Sequence, residues 1–220
     1  MASARQVVKK IVIGSVVLLG LFALFLWTLR ETESAPYLMG QSLLTGWRVT
    51  IEPSAAPDGP LLTLAPPREL TMGLFQQVFE RTMESMNAPR VYGIALILQR
   101  EYRDTLAGRI EPAELAELAR AAGLEEVTLE PRCLAVRPGA TQDEPRRIFY
   151  VVFELPALLA FREEVATRLQ TTGRSQPAFE PSALAPLLYL AATDRGFREW
   201  PSPPQPPDGE CVAPVELAAF

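Results

Sequence analysis

The chain has 220 residues, a net charge of −5 and no histidine. The missing imidazole excludes Ser-His-Asp and Cys-His nucleophilic sites, histidine-built zinc centres and histidine-ligated haem. Its two lysines, Lys9 and Lys10, both precede the first long apolar run, so no Schiff-base, Ser-Lys or P-loop lysine is available after it. The acidic balance argues against nucleic acid as a partner, because binding phosphate backbones needs concentrated positive charge.

Residues 1–10 read as a short basic stub, and Ile11–Leu29 as nineteen uncharged residues followed by Arg30. At about 1.5 Å per residue a helix of that length would come close to a hydrocarbon core of about 30 Å, so the pattern predicts one transmembrane helix. Ile11, Leu18, Phe22, Phe25 and Trp27 would be its anchor residues, with the indole at headgroup depth. A cleaved signal peptide is the competing reading, but its apolar region is shorter and ends in small residues, whereas this run ends Leu26-Trp27-Thr28-Leu29. Gly14 and Gly20 are six apart rather than four, which does not make a GxxxG helix-pairing motif. Arg5, Lys9 and Lys10 before the run place the N-terminus in the bacterial cytoplasm and the remainder in the periplasm. After residue 30, 17 arginines stand against 26 acidic residues.

A stalk is expected over 30–45, then an α+β domain over 46–199. Trp47–Glu52 and Leu61–Leu64 read as a hairpin around the turn chemistry of Asp58-Gly59. Helical spacing follows over Glu69–Met86, with Leu70, Leu74, Val78 and Met83 near one stripe and Phe75, Phe79 and Met86 broadening it. Val91–Leu98 is a continuous apolar run, the pattern of a strand covered on both faces. A helix beginning at Pro112 and stopping at Gly123 uses the preference for proline at the first helical position and glycine past the last. Strands are expected over Val127–Val136 and Arg147–Leu155, a helix from Pro156 to near Gly173, and a last helix over Pro181–Thr193. From Trp200 the chain is proline-rich, predicting an extended tail over 200–220.

The order predicts a mostly antiparallel sheet covered by helices, behind one N-terminal transmembrane helix and ahead of the tail. Its middle portion resembles a ferredoxin-like split βαβ arrangement, a fold that hosts unrelated functions. Cys133 and Cys211 are the only cysteines, and in an oxidising periplasm a disulfide between them is expected. No CxxC redox motif is present.

Trp200, Pro203, Pro204, Pro206, Pro207 and Phe220 form the candidate partner-binding strap, since a pre-extended segment orders at little cost. Tyr37, Trp47 and Trp200 are candidate exposed aromatics near the membrane or at contacts, although core packing or interface belting is the commoner role for any one aromatic. Glu101, Arg103 and Asp104 make the densest charge cluster after an apolar strand. No catalytic residue, metal or cofactor is assigned. The expected function is a non-enzymatic accessory, scaffold or assembly subunit of a larger bacterial inner-membrane complex, with energy-transducing respiratory and photosynthetic complexes among the candidates. Its partners would be integral membrane proteins, and it would meet the bilayer through one helix. Two other readings stay open: a periplasmic sensor or ligand-binding module, needing a deep apolar pocket, and an anchored hydrolase using carboxylates such as Glu101, Asp104 and Glu154.

Overall fold

The computed structural model describes residues 13–24, 35–52, 59–138, 147–170, 179–193 and 211–218. The chain divides into two units, Met1–Ala35 and Pro36–Phe220.

In the first unit, residues 13–24 are helical and every one of them is exposed. This corrects the expected transmembrane helix. Among the described residues no helix is long and apolar enough to cross a membrane. Leu18 and Phe22 lie on this helix, while Ile11, Phe25 and Trp27 lie outside the described residues.

The second unit has a mixed α+β fold around one eight-stranded sheet. Its strands are β1 (Tyr37–Gly40), β2 (Arg48–Ile51), β3 (Pro60–Ala65), β4 (Ile94–Leu98), β5 (Glu130–Pro138), β6 (Arg147–Glu154), β7 (Leu187–Ala192) and β8 (Cys211–Ala218). Three longer helical elements lie between them: α1 (Arg68–Thr82), α3 (Pro112–Ala121) and α4 (Pro156–Gln170). A short α2 (Gln99–Glu101) runs directly into a π turn at Tyr102–Leu106. The strand order is β1-β8-β5-β6-β7-β4-β3-β2, antiparallel throughout except for β1 on β8.

Three expected elements are corrected. The helix over Pro181–Thr193 is a 3-10 turn at Pro181–Ala183 followed by strand β7. Leu184, Leu187, Leu188 and Ala191 carry helical spacing, but all six residues of β7 are buried because the strand lies between β4 and β6 with both faces covered. The stalk becomes a strand from Tyr37. The extended tail becomes β8 from Cys211, inserted between β5 and β1. Pro214 explains how a proline-bearing strand sits inside a sheet. Pairing with β5 runs only up to Pro214, and pairing with β1 starts only at Val215, so the residue lacking an N–H stands where the ladder changes sides.

The two edge strands, β1 and β2, are neighbours in sequence, and this forces the sheet to curl. Eight strands laid flat at about 4.8 Å spacing would hold their edges about 34 Å apart. The eight steps from Gly40 to Arg48 reach at most about 29 Å when fully extended, and Gln41–Leu44 is wound into a 3-10 turn. The sheet therefore bends until the connection can cross its concave side. Trp47, at the edge, meets Phe153 of central β6 edge-to-face with ring centroids 5.6 Å apart. Its Nε1 donates to the Leu43 carbonyl at 3.1 Å. Tyr37 and Trp47, candidates for exposure, are both buried, which is the core-packing role expected of most aromatics.

Both sheet edges are capped by side chains. The Leu38 N–H donates to Oε1 of Gln77 at 2.8 Å and the Leu38 carbonyl accepts from Nε2 of the same amide at 2.8 Å, so one α1 side chain imitates a neighbouring strand. At the other edge the Val49 N–H donates to Oε1 of Glu125 at 2.7 Å. These side chains occupy backbone groups that an edge strand would otherwise offer to another chain. Gly93, ahead of β4, has no room for a side chain: a Cβ there would come within 2.9 Å of the Thr63 Cβ and 3.1 Å of the Leu64 carbonyl oxygen.

Candidate functional site

The seam between β4 and β7 is the thinnest in the sheet. Its only paired position is Ile94 with Leu188, supplemented by an isolated bridge between Asn87 and Ala192. Beyond Ile94 the strands part, and the guanidinium of Arg162 fills the gap from α4. Leu158, Phe161, Val165 and Leu169 place the buried face of α4 against the core, and Arg162, four residues after Leu158, shares that face. It is 0% exposed.

Every N–H of this guanidinium is used. Nε donates to the Pro181 carbonyl at 2.7 Å, Nη2 to the Glu180 carbonyl at 2.7 Å, and Nη1 to the Leu96 carbonyl at 2.9 Å. The remaining donors make a bidentate pair with the Glu101 carboxylate, Nη1 to Oε2 at 3.0 Å and Nη2 to Oε1. The Phe179 ring lies 4.5 Å from the guanidinium carbon. One planar cation thus ties β4, α2, the segment before β7 and α4 together. The rigid fork of arginine suits this, and the three point donors of a lysine would not.

A pocket of about 190 Å³ opens beside the ion pair, lined by Leu98, Arg100, Glu101, Thr105, Phe179, Glu180, Ala183 and Leu184. Glu101 forms its polar floor with a side chain 15% exposed. The floor is already neutralised by Arg162, and the volume lies below the roughly 300–1,000 Å³ of ordinary ligand sites.

The sequence-derived carboxylates do not converge here. Asp104 is solvent-exposed and paired with its neighbour Arg103 at 3.1 Å, and Glu154 is exposed at the end of β6. Among the described residues no group of three or more His, Cys, Asp or Glu could hold a metal ion. Three tyrosines resist ionisation. Burial raises Tyr37, Tyr92 and Tyr102, with Arg81 opposing the rise at Tyr37 and Glu111 adding to it at Tyr102.

Cys133 of β5 and Cys211 of β8 form a disulfide with Cα atoms 5.7 Å apart. It staples β8 beside β5 where their backbone pairing covers three positions with a register shift. Trp200, Pro203, Pro204, Pro206, Pro207 and Phe220 lie outside the described residues.

The surface that sequence reasoning missed lies on α1. Met72, Phe79 and Met83 are 59%, 44% and 77% exposed. Phe79 and Met83 were expected on the buried stripe, yet the core residues are Leu70, Thr71, Leu74 and Val78. An angular count carries the signal: at about 100° per residue Met83 lies about 140° round the helix from Val78, so the two cannot share a face. Compared with family models, curated proteins and solved structures, the chain matches none of them.

Proposed function

We propose that this chain is a non-enzymatic accessory or scaffold subunit of a larger bacterial protein complex, working with its disulfide-bonded domain in the periplasm. The observation that carries this reading is apolar surface the chain leaves uncovered. Residues 13–24 form a helix that is apolar all round, on which Ile13, Val16, Val17, Leu18, Leu19, Leu21, Phe22 and Leu24 are all exposed. A helix without a polar face is stable only when something buries it. Each such side chain gains about 1.5–3 kcal/mol on full burial, so eight of them supply a strong drive to associate. Meanwhile the buried Arg162–Glu101 ion pair is spent on holding strands together. Proline-rich residues 200–210 supply a second contact element by composition.

Purification of the tagged chain in mild detergent, with mass spectrometry of what accompanies it, tests the reading. A stoichiometric set of partner proteins is the expected result. A chain that runs alone as a monomer overturns it.

A further inference from the structure

We infer that the Cys133–Cys211 disulfide is a redox-sensitive latch: a dithiol reductant that opens it releases strand β8 and leaves the rest of the domain folded. Apart from the bridge, β8 is weakly held. Of its eight residues only Ala213 and Val215 are buried, so it adds little to the core. Its backbone pairs with β5 at three positions, interrupted by a register shift. Its pairing with β1 covers four positions and is parallel, the slightly less stable arrangement per residue. Pro214, between the two ladders, has no N–H to donate.

The strands on either side of β8 have other supports. β5 pairs with β6 at eight positions. β1 loses its ladder when β8 leaves, but α1 still holds it. Gln77 binds both Leu38 backbone groups, and Arg81 lies over the Tyr37 ring and donates to the Pro36 carbonyl. Tyr37 and Met39 are buried in the main core. Opening is therefore confined to one strand, and it leaves β5 with an open edge. Residues 194–210 join β7 to β8 in the chain, so release of β8 also frees one end of that stretch.

The two cysteines differ in access. Cys211 is exposed, whereas Cys133 is only 5% exposed. A thiolate of the dithiol therefore attacks the Cys211 sulfur, the S–S bond breaks, and Cys133 leaves as a thiolate that takes up a proton. The second thiolate of the reductant then attacks the mixed disulfide and frees Cys211. Two electrons pass to this chain, and the dithiol ends as its own disulfide. The step is reversible within one molecule, because these are the only cysteines and can remake only the same bridge.

The test treats the oxidised full chain with dithiothreitol under native conditions, pairing thiol mapping by mass spectrometry with hydrogen exchange. Both cysteines should become free thiols without denaturant. Exchange in β8 should accelerate roughly a hundredfold, the scale of one disulfide's contribution. Exchange in β1 should rise less, β5 and β6 should stay protected, and reoxidation should restore the starting pattern. Cys133→Ser with Cys211→Ser should show the released pattern with or without reductant. A bridge that yields to the dithiol only in denaturant overturns the latch. So does a fully reduced chain whose β8 keeps its protection. Equal acceleration in β6 overturns it too, since the bridge would then staple the whole domain. No partner enters the measurement, so its outcome is independent of the accessory-subunit reading.

Discussion

The β5–β6 and β4–β7 seams of the same sheet are held by different physics. Between β5 and β6 eight positions pair, with one register shift between Pro131 and Cys133, and the backbone ladder holds the strands. Between β4 and β7 one position pairs, and a side chain takes over: Arg162 satisfies the Leu96 carbonyl on one strand and the Glu180 and Pro181 carbonyls ahead of the other. A ladder spreads its stability over many bonds, each worth a net of about 0.5–1.5 kcal/mol. A buried cation concentrates it in one residue whose loss strands several partners at once.

The sharpest way to break that comparison is Arg162→Met. It leaves the Glu101 carboxylate desolvated without its cation, together with three carbonyls that lose a donor, and should cost about 3–5 kcal/mol. Denaturant titration should show a large fall in midpoint, and Arg162→Lys should recover little of it. Adding Glu101→Gln to Arg162→Met should restore part, because the stranded charge is then gone. A loss below about 1 kcal/mol for Arg162→Met, the level of one ordinary hydrogen bond, would mean that the packing of α4 holds the seam.

Cys211→Ser tests a third seam, β5–β8, where a disulfide supplements a short ladder. The bridge closes a separation of 78 residues, and its removal should cost about 2–4 kcal/mol. Hydrogen exchange should show protection lost first in β8 and β1 while β5–β6 stays protected. Uniform loss across the sheet would place β8 inside the main cooperative unit.

A smaller effect is expected at the β1 edge. Gln77→Ala removes the amide that pairs with both Leu38 backbone groups, and should cost about 1 kcal/mol because water can reach the exposed edge. Gln77→Glu should do more harm, since a carboxylate cannot donate to the Leu38 carbonyl.

The smallest effect is a pH dependence. Burial raises the Tyr37 phenol above its ordinary value of 10.0, with Arg81 pulling the other way. The folded state therefore holds the phenolic proton more tightly than the unfolded state. Stability is fully present below pH 10 and falls as pH rises through the folded value. Tyr37→Phe should flatten that alkaline limb in urea titrations at pH 9 to 11.

Much of the element inventory was legible because it follows from local chemistry. Pro112 and Gly123 bracket α3, and Gly123 has the positive φ of 75° that its place past the helix end requires. The apolar runs now seen as β4 and β6 lie inside the sheet with nearly every residue buried. The strands read as something else are those whose identity depends on a neighbour. β1 has four residues and exists through β8 and Gln77. β8 exists through β5, the disulfide and β1. β7 carries helical spacing in its apolar residues and becomes a strand because β6 and β4 flank it. Arg162 went unread, although a charge on the apolar face of a helix is a mismatch that signals a buried partner. Which partner it finds, 61 residues away at Glu101, depends on where the sheet splays.

The sequence by itself determined the absence of histidine chemistry, the acidic balance, the apolar N-terminal run and the periodic helices, because composition and short-range spacing act on each segment alone. Only the tertiary structure decided that the sheet curls, that its thinnest seam closes on Arg162, and that α1 turns Met72, Phe79 and Met83 outward. Those outcomes rest on contacts between residues far apart in the chain, and long-range pairing is set by which surfaces the whole fold brings together.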